Sequence, residues 1–252
     1  MNTQSKVSGL KSKVGERPLG SSSRTTHHAS RLAFTLIELL VVIAIIAILA
    51  AMIIPITGAV KKMKLRTRTE TELRTIENAI NQYKTKHGFY PPDNPGVATG
   101  INQLFYELSG TTNNGAIYTT LDRSASITPA DLTAAFPGKN GFMNTMRDKA
   151  ADEGIIAENF LKNGIGKDQI ATVDPGGGRK VNILVGSVRW PVGQPGELLP
   201  GQPASSADSY IPFRYVSTGP TNNPTTYDLW IDIIVDKKTN RFCNWNDKYL
   251  TP

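Results

Sequence analysis

The sequence predicts an α+β fold in which one long N-terminal helix packs on a small antiparallel β-sheet. Three observations lead to this prediction. An apolar run extends from Leu39 to Ile56, a stripe of apolar residues at helical spacing follows it, and short strand-like segments fill the C-terminal third. With 252 residues and 39% hydrophobic side chains, the chain is long enough to bury one sizeable core.

The formal net charge of +7 is concentrated near the N-terminus. Residues 1–33 contain six Lys or Arg residues and one Glu, a net charge of +5, so residues 34–252 carry only +2. Because this larger part has no basic stripe interleaved with aromatic residues, nucleic-acid binding is not expected. The single cysteine, Cys243, excludes an intrachain disulfide, and we expect a buried, inert thiol.

The apolar run Leu39–Ile56 contains no charged residue. As a helix it would extend about 27 Å at ~1.5 Å per residue, which approaches the ~30 Å core of a bilayer. A cleaved secretory signal is the alternative, but its apolar core is shorter, about 7–15 residues. Here the run continues into Lys61 and further basic residues with its helical pattern intact. A retained membrane helix over residues 34–58 is therefore the preferred interpretation.

Glu38 lies close to the start of the apolar run. An ionised carboxylate at the centre of a membrane helix costs about 2.5–3.5 kcal/mol, and less near the interface, so it needs a partner or a function. The simpler alternative is an acid at the headgroup level, where the helix dipole favours it. Spacing alone leaves both interpretations open.

The segment Ala33-Phe34-Thr35-Leu36-Ile37-Glu38 resembles the N-terminal signature of type IV pilins and type II secretion pseudopilins. The resemblance implies that a prepilin peptidase cuts between Ala33 and Phe34 and methylates the new amino terminus of Phe34. It also implies that Glu38 pairs with the terminal amine of a neighbouring subunit during assembly. Pro55 stands where the family commonly has a helix-kinking proline, whereas Ala33 replaces the glycine that usually precedes the cut.

The same resemblance implies a topology and a set of partners. Residues 1–33 would be a cytoplasmic leader that is cleaved, and their positive charge agrees with the positive-inside bias. The protein would cross the bacterial inner membrane once, with its N-terminus cytoplasmic and its C-terminal domain periplasmic. Its partners would be the prepilin peptidase, copies of itself and other pilins or pseudopilins, and the inner-membrane assembly platform.

An amphipathic helix is predicted over residues 59–88. Leu73, Ile76, Ile80 and Tyr83 recur at spacings of three, four and three residues, which places them on one face that must be buried. Gly88 is the expected stop signal, with the helix ending near Lys86. The segment has too few heptads to favour a coiled coil.

Residues 89–252 are predicted to form a globular domain. Short helices are expected at Ile101–Leu108 and Met146–Leu161, and the stretch Thr111–Gly141 is expected to be mostly loop, with a helical turn around Ala130–Ala135. The predicted strands are Val181–Val188, Tyr210–Val216, Tyr227–Val235 and Arg241–Trp245, with a hairpin connection at Asp236–Asn240.

Further features resemble the major pseudopilins, namely the Tyr90-Pro91 pair after the helix and the sequence Tyr227-Asp228-Leu229-Trp230. That group often binds calcium through a loop rich in Gly and Asp, which this chain lacks. No metal or cofactor is therefore expected. The candidate ligands, should calcium bind, are Asp228, Asp232 and Asp236, and the alternative is that these acids belong to turns or the surface.

The residues that enzymes require are scarce. The glycine run Pro175–Lys180 lacks the Lys-Ser/Thr ending of a phosphate-binding loop, and His87 is the only histidine after residue 33. We therefore expect a structural filament subunit and not an enzyme, most closely a type II secretion pseudopilin. The alternative is a type IV pilin or minor pilin that acts as a membrane-tethered binding or adhesion module.

Overall fold

The computed structural model describes residues 35–95, 99–147, 156–162, 164–191 and 210–251, without the side chains of residues 52–57 and Arg147. The chain divides into two compact units, Met1–Ala51 and Met52–Pro252. The described part of the first unit is helical, and the second contains the rest of that helix and all the strands.

Helix α1 extends from Leu36 to His87. It ends as predicted, because Gly88 adopts a left-handed conformation with φ of 84° and donates its backbone N–H to the carbonyl of Lys84 at 2.8 Å. Lys84 and Lys86 occupy its last turn, where positive charge interacts favourably with the helix dipole.

The remaining elements are short and form three sheets. The helices are α2 (Leu104–Ser109) and α3 (Pro129–Ala135), and a 3₁₀ turn covers Lys167–Gln169. The strands are β1 (Thr111–Asn113), β2 (Tyr118–Thr120), β3 (Ser126–Ile127), β4 (Thr145–Arg147), β5 (Ile170–Val173), β6 (Val181–Leu184), β7 (Arg214–Val216), β8 (Asp228–Val235), β9 (Lys238–Cys243) and β10 (Asn246–Leu250). The sheet orders are β3-β2-β1-β4, β10-β9-β8-β7 and β5-β6.

The C-terminal sheet is antiparallel throughout, in agreement with the predicted α+β fold. Strand β8 alternates as a half-buried strand should, and its inward residues Leu229, Ile231, Ile233 and Val235 are at most 2% exposed. The hairpin to β9 is tighter than predicted. Asp236 and Lys237 have φ values of 58° and 63°, which is the two-residue geometry that matches strand twist, so pairing resumes at Lys238.

The predicted apolar stripe of α1 lies in the core of the second unit. Ile76, Ile80 and Tyr83 are fully buried and Leu73 is 2% exposed, which confirms that this face of the helix is buried. The stripe joins one cluster with α2, α3 and the inward residues of all three sheets. Burial of each such aliphatic side chain stabilises the fold by about 1.5–3 kcal/mol relative to exposure.

One buried acid lies at the centre of this core. Glu107 of α2 is fully buried, and its carboxylate accepts hydrogen bonds from Tyr83 Oη at 3.0 Å and from the backbone N–H groups of Met143 and Asn144 at 2.9 and 3.1 Å. Burial raises the pKa of Glu107, and these three donors oppose that rise. The Asn144 amide also donates to the carbonyls of Glu107 and Glu158, so the network connects four segments of the chain.

The middle of the domain differs from the prediction. The stretch expected to be mostly loop contains β1, β2 and β3, while the helical turn is confirmed as α3. Thr128 caps α3 by accepting the N–H of Asp131 at 3.1 Å, and Pro129 occupies the first turn, where no donor is needed.

The helix predicted at Met146–Leu161 is wrong where the structure describes it. Met146 belongs to β4, which pairs in parallel with β1, and residues 156–162 contain no helix. Residues 148–155 of that prediction lie outside the described residues. The pairing of β4 with a strand more than thirty residues earlier is a long-range contact that local patterning does not report.

His87 lies among aromatic rings at the end of α1. Its ring centroid is 4.3 Å from that of Tyr83 and 6.0 Å from those of Phe89 and Phe160. Burial in this cluster, aided by the charge of Lys86, lowers the pKa of the imidazole below 6.5. The folded state therefore favours the neutral ring.

The apolar stripe gives a first prediction, made for a fragment covering residues 61–252. Ile76→Ala or Ile80→Ala should lower the unfolding free energy by about 2–5 kcal/mol, because each removes fully buried methyl groups and leaves a cavity. The melting temperature should fall by roughly 2–4 °C for each kcal/mol lost. Gln82→Ala, at an exposed position of the same helix, is the matched control and should change it little. Equal effects at positions 76 and 82 would contradict the burial of this face.

A second prediction concerns pH in the same fragment, where His87 is the only histidine. Because its pKa is lower in the folded state, the unfolded state binds more protons between that pKa and 6.5. The unfolding free energy should therefore fall as the pH is lowered through this window. His87→Phe keeps an aromatic ring and should remove the slope, as measured by urea unfolding between about pH 5.5 and 8. An unchanged slope in the variant would assign the effect to other groups.

Candidate functional site: the N-terminal helical segment

The first residues of α1 form a reciprocal hydrogen-bonded cap. The Glu38 carboxylate accepts from the backbone N–H and from the hydroxyl of Thr35, both at 2.8 Å, and the Thr35 hydroxyl accepts from Glu38 N–H at 3.3 Å. Leu39 N–H closes the first helical turn on the carbonyl of Thr35 at 3.2 Å. Thr35 is thus the N-cap and Glu38 the third helical residue, the spacing of a capping box.

The cap accounts for the conformation of Glu38 without any partner molecule. Both hydrogen bonds from Thr35 reach the same oxygen, Oε2, and the side chain lies at an exposed position. An ionised carboxylate accepts several hydrogen bonds through two oxygens, so the capped group can still receive a cation. The geometry holds the negative charge at the first turn of the helix, where the dipole favours it.

The helix that follows exposes apolar side chains on every side within the described residues. Exposed fractions reach 80% at Leu36, 69% at Ile37 and 62% at Ile48, and the other large apolar residues of this segment are also exposed, namely Leu39, Leu40, Val41, Val42, Ile43, Ile45, Ile46 and Leu49. A helix that is apolar all round needs an apolar environment. Continuous apolar surface of this kind marks a contact with lipid or with another protein.

No helix among the described residues is both long and apolar enough to cross a membrane. Several predicted features fall outside those residues. They are the leader, the cleavage site Ala33-Phe34, and the side chains of residues 52–57 with the proline at position 55. The backbone of residues 52–57 is described and is helical.

The three aspartates proposed as calcium ligands are engaged separately. Asp228 is buried and accepts the backbone N–H groups of Thr221, Asn222 and Asn223 at 2.8–3.0 Å. Asp232 receives two hydrogen bonds from Arg241 and forms an ion pair with Arg214, and Asp236 forms an ion pair with Lys62 at 2.8 Å.

The spacing of these acids along the chain also separates them. Asp228 and Asp232 are four residues apart in one strand, about 13 Å at ~3.3 Å per residue. Calcium requires oxygen ligands at roughly 2.3–2.6 Å, so these two carboxylates cannot share an ion. No group of three or more His, Cys, Asp or Glu side chains in the described part of the chain is arranged to hold a metal.

Two other features that could suggest a functional site, the glycine run and the cysteine, have structural roles. Asp174 accepts the backbone N–H groups of Gly176, Gly178 and Arg179 at 2.8–3.1 Å, so the amides that could approach a phosphate are occupied. Cys243 is 2% exposed, which confirms the buried thiol, and burial raises its pKa and so disfavours the reactive thiolate.

Comparison with known proteins locates similarity in the N-terminal part of the chain. The prokaryotic N-terminal methylation motif matches residues 29–54. The chain is 34% identical over 64 residues to type II secretion system core protein G of Escherichia coli (strain K12), which covers 25% of this chain and 44% of that protein. It is 37% identical over 90 residues to the type IV major pilin protein PilE1 of Neisseria gonorrhoeae, covering 33% and 41%.

A second core protein G, from Aeromonas hydrophila, is 31% identical over 70 residues, which is 28% of this chain and 49% of the relative. The matched region therefore spans about half of the length of these relatives. No solved structure matches the chain. The motif, the relatives and the α+β fold agree with one another: the N-terminal part of this chain is similar to type IV pilins and type II secretion pseudopilins.

Proposed function

We propose that this protein is a subunit of a pilus-like filament, most closely a type II secretion pseudopilin, which assembles through its N-terminal helix. The observation that carries the proposal is the capped Glu38 carboxylate at the start of a helix whose apolar surface is exposed on all sides. Similarity to core protein G of Escherichia coli and Aeromonas hydrophila over this region supports the choice of a secretion pseudopilin.

Processing would precede assembly. The prepilin peptidase removes the leader, residues 1–33, and methylates the amine of Phe34. Residues 34–58 then remain in the bacterial inner membrane, while residues 59–88 and the globular domain of residues 89–252 lie in the periplasm. The family signature and the positive charge of residues 1–33 support this topology.

Assembly would transfer the apolar helix from lipid to the filament. Lipid tails and neighbouring helices are similarly apolar, so this transfer has little hydrophobic driving force. A charge pair between Glu38 and the amine of Phe34 in a neighbouring subunit would be strong in such a low-dielectric environment and would fix the register. The bonds from Thr35 keep the Glu38 carboxylate at the first turn, so it needs little reorganisation before it receives the amine.

A second candidate function is that of a type IV pilin, or of a minor pilin whose domain binds a ligand or surface. The similarity to the type IV major pilin PilE1 over 90 residues favours it. A minor pilin would differ in abundance, because a major subunit greatly outnumbers a subunit at the filament tip. Quantitative proteomics of the cell envelope separates a major filament subunit from a minor pilin.

The third prediction concerns processing. Mass spectrometry of the protein from cells with the prepilin peptidase should show an N-terminus at Phe34 that carries an N-methyl group, because the methylation motif covers this site. In cells without the peptidase the leader should be retained. A start site after residue 56 would contradict the proposal, since it would remove the assembly helix.

The fourth prediction separates assembly from insertion. Glu38→Gln keeps the size of the side chain and an acceptor oxygen for Thr35 but removes the charge that pairs with the amine. The variant should be inserted and cleaved normally. In a mixed-subunit assay it should enter filaments at least tenfold less than the parent, because losing one charge pair costs on the order of 1.4 kcal/mol, which corresponds to a factor of ten. Glu70→Gln, which removes an exposed acid from the same helix, is the matched control. Equal incorporation of all three proteins would exclude the pairing role.

A further inference from the structure

The hairpin between β8 and β9 lies beside the turns of α1 that contain Lys62 and Arg66, near the start of the second unit. Lys62 Nζ is 2.8 Å from Asp236 Oδ2 at the tip of the hairpin, and Arg66 Nε donates to Asn240 Oδ1 at 3.2 Å, at the third residue of β9. The guanidinium of Arg66 also lies 4.4 Å from the centre of the Tyr249 ring. These contacts bring the basic turns of α1 and the hairpin tip into one surface.

This surface, which we call the basic end, is strongly positive. It consists of six cations and one acid, Asp236, so its net charge is +5. The cations are Lys61, Lys62, Lys64, Arg66, Lys237 and Lys238. Residues 34–252 carry +2 in total, so the remainder of that chain is net negative, at −3. The pKa of Asp236 is lowered by its bond to Lys62 and by the charges of Lys238 and Arg66, as expected for an acid surrounded by cations.

Two cations of the basic end have no hydrogen-bond or ion-pair partner among the described residues. Lys61 and Lys64 are exposed and form no hydrogen bond or ion pair within the described residues, and at 100° per residue they lie about 60° apart on one helix face. Exposed apolar side chains flank them, with Val60 57% and Met63 70% exposed. Basic and apolar side chains mixed in this way are typical of a surface that lies at a membrane interface.

The position along the chain indicates which anionic surface is involved. Lys61 follows Ile56, the end of the apolar run, by five residues, which is about 7.5 Å along a helix at ~1.5 Å per residue. If the apolar run crosses the bilayer, Lys61 and Lys64 reach the level of the lipid headgroups. Lys237 and Lys238 are held near this level by the ion pair between Lys62 and Asp236.

We propose that the basic end binds the anionic phospholipid headgroups of the membrane that holds the subunit before assembly. The inference rests on the proposed membrane residence of the apolar run and adds a second, electrostatic contact with the bilayer. Ammonium and guanidinium groups pair with lipid phosphates, and Val60 and Met63 contact the boundary with the acyl chains. Each net positive charge close to an anionic surface strengthens binding by about fivefold, so the net charge of +5 holds the domain on the membrane until assembly removes it.

The test uses the full chain in nanodiscs of phosphatidylcholine, with or without phosphatidylglycerol, and measures amide hydrogen exchange by mass spectrometry. Exchange at residues 235–241 should be at least about tenfold slower in the anionic nanodiscs, and the difference should disappear at high salt. Lys237→Gln combined with Lys238→Gln should abolish most of it. Lys162→Gln combined with Lys180→Gln, two exposed lysines elsewhere, removes the same charge and should leave it unchanged.

Residues 39–51 report separately on membrane residence. If they are protected in both nanodiscs while residues 235–241 exchange equally in both, the lipid contact is wrong and the membrane segment stands. If residues 39–51 exchange freely, the proposed membrane residence fails and this inference falls with it. Equal slowing by inorganic phosphate in phosphatidylcholine nanodiscs would show binding of free phosphate and would overturn the assignment to a lipid surface.

Discussion

The burial of one face of α1 is the constraint on which the globular unit depends. Ile76, Ile80 and Tyr83 are inaccessible to solvent and belong to one buried cluster with residues from every described sheet of the second unit. Tyr83 adds a polar link, because its hydroxyl donates to the buried carboxylate of Glu107. That carboxylate is stable in the core only because backbone and side-chain donors surround it, so the helix, α2 and the segment before β4 must form together.

The surface of the same helix is different before residue 52. There the apolar side chains surround the whole helix and remain exposed, so the segment has no core of its own to join. Glu38 is the exception in this surface, and its capping bonds from Thr35 satisfy it locally. In the proposed function, this charge is tolerated first in the membrane and paired afterwards in the filament.

Most polar groups that suggested chemistry serve to position loops. Asp228 accepts hydrogen bonds from three backbone N–H groups and so fixes the turn before β8. Asp174 accepts three in the same way and fixes the turn before β6. Asp232 pairs with two arginines across the C-terminal sheet. Lys61 and Lys64, by contrast, lie on exposed turns of α1 and form no ion pair within the described residues.

The sequence by itself determined the features that depend on local periodicity. These are the long helix and its end at Gly88, the buried stripe, the alternation of β8, and the segment that carries the family signature around Glu38. The tertiary structure decided what depends on contacts between distant residues. Strand β4 replaces a predicted helix because it pairs with β1, and the Glu107 network needs partners from three other segments. The sequence shows the basic residues that follow the apolar run, but it does not show that the hairpin joins them, because Lys62 and Asp236 are separated by 174 residues and meet only when the hairpin packs on α1.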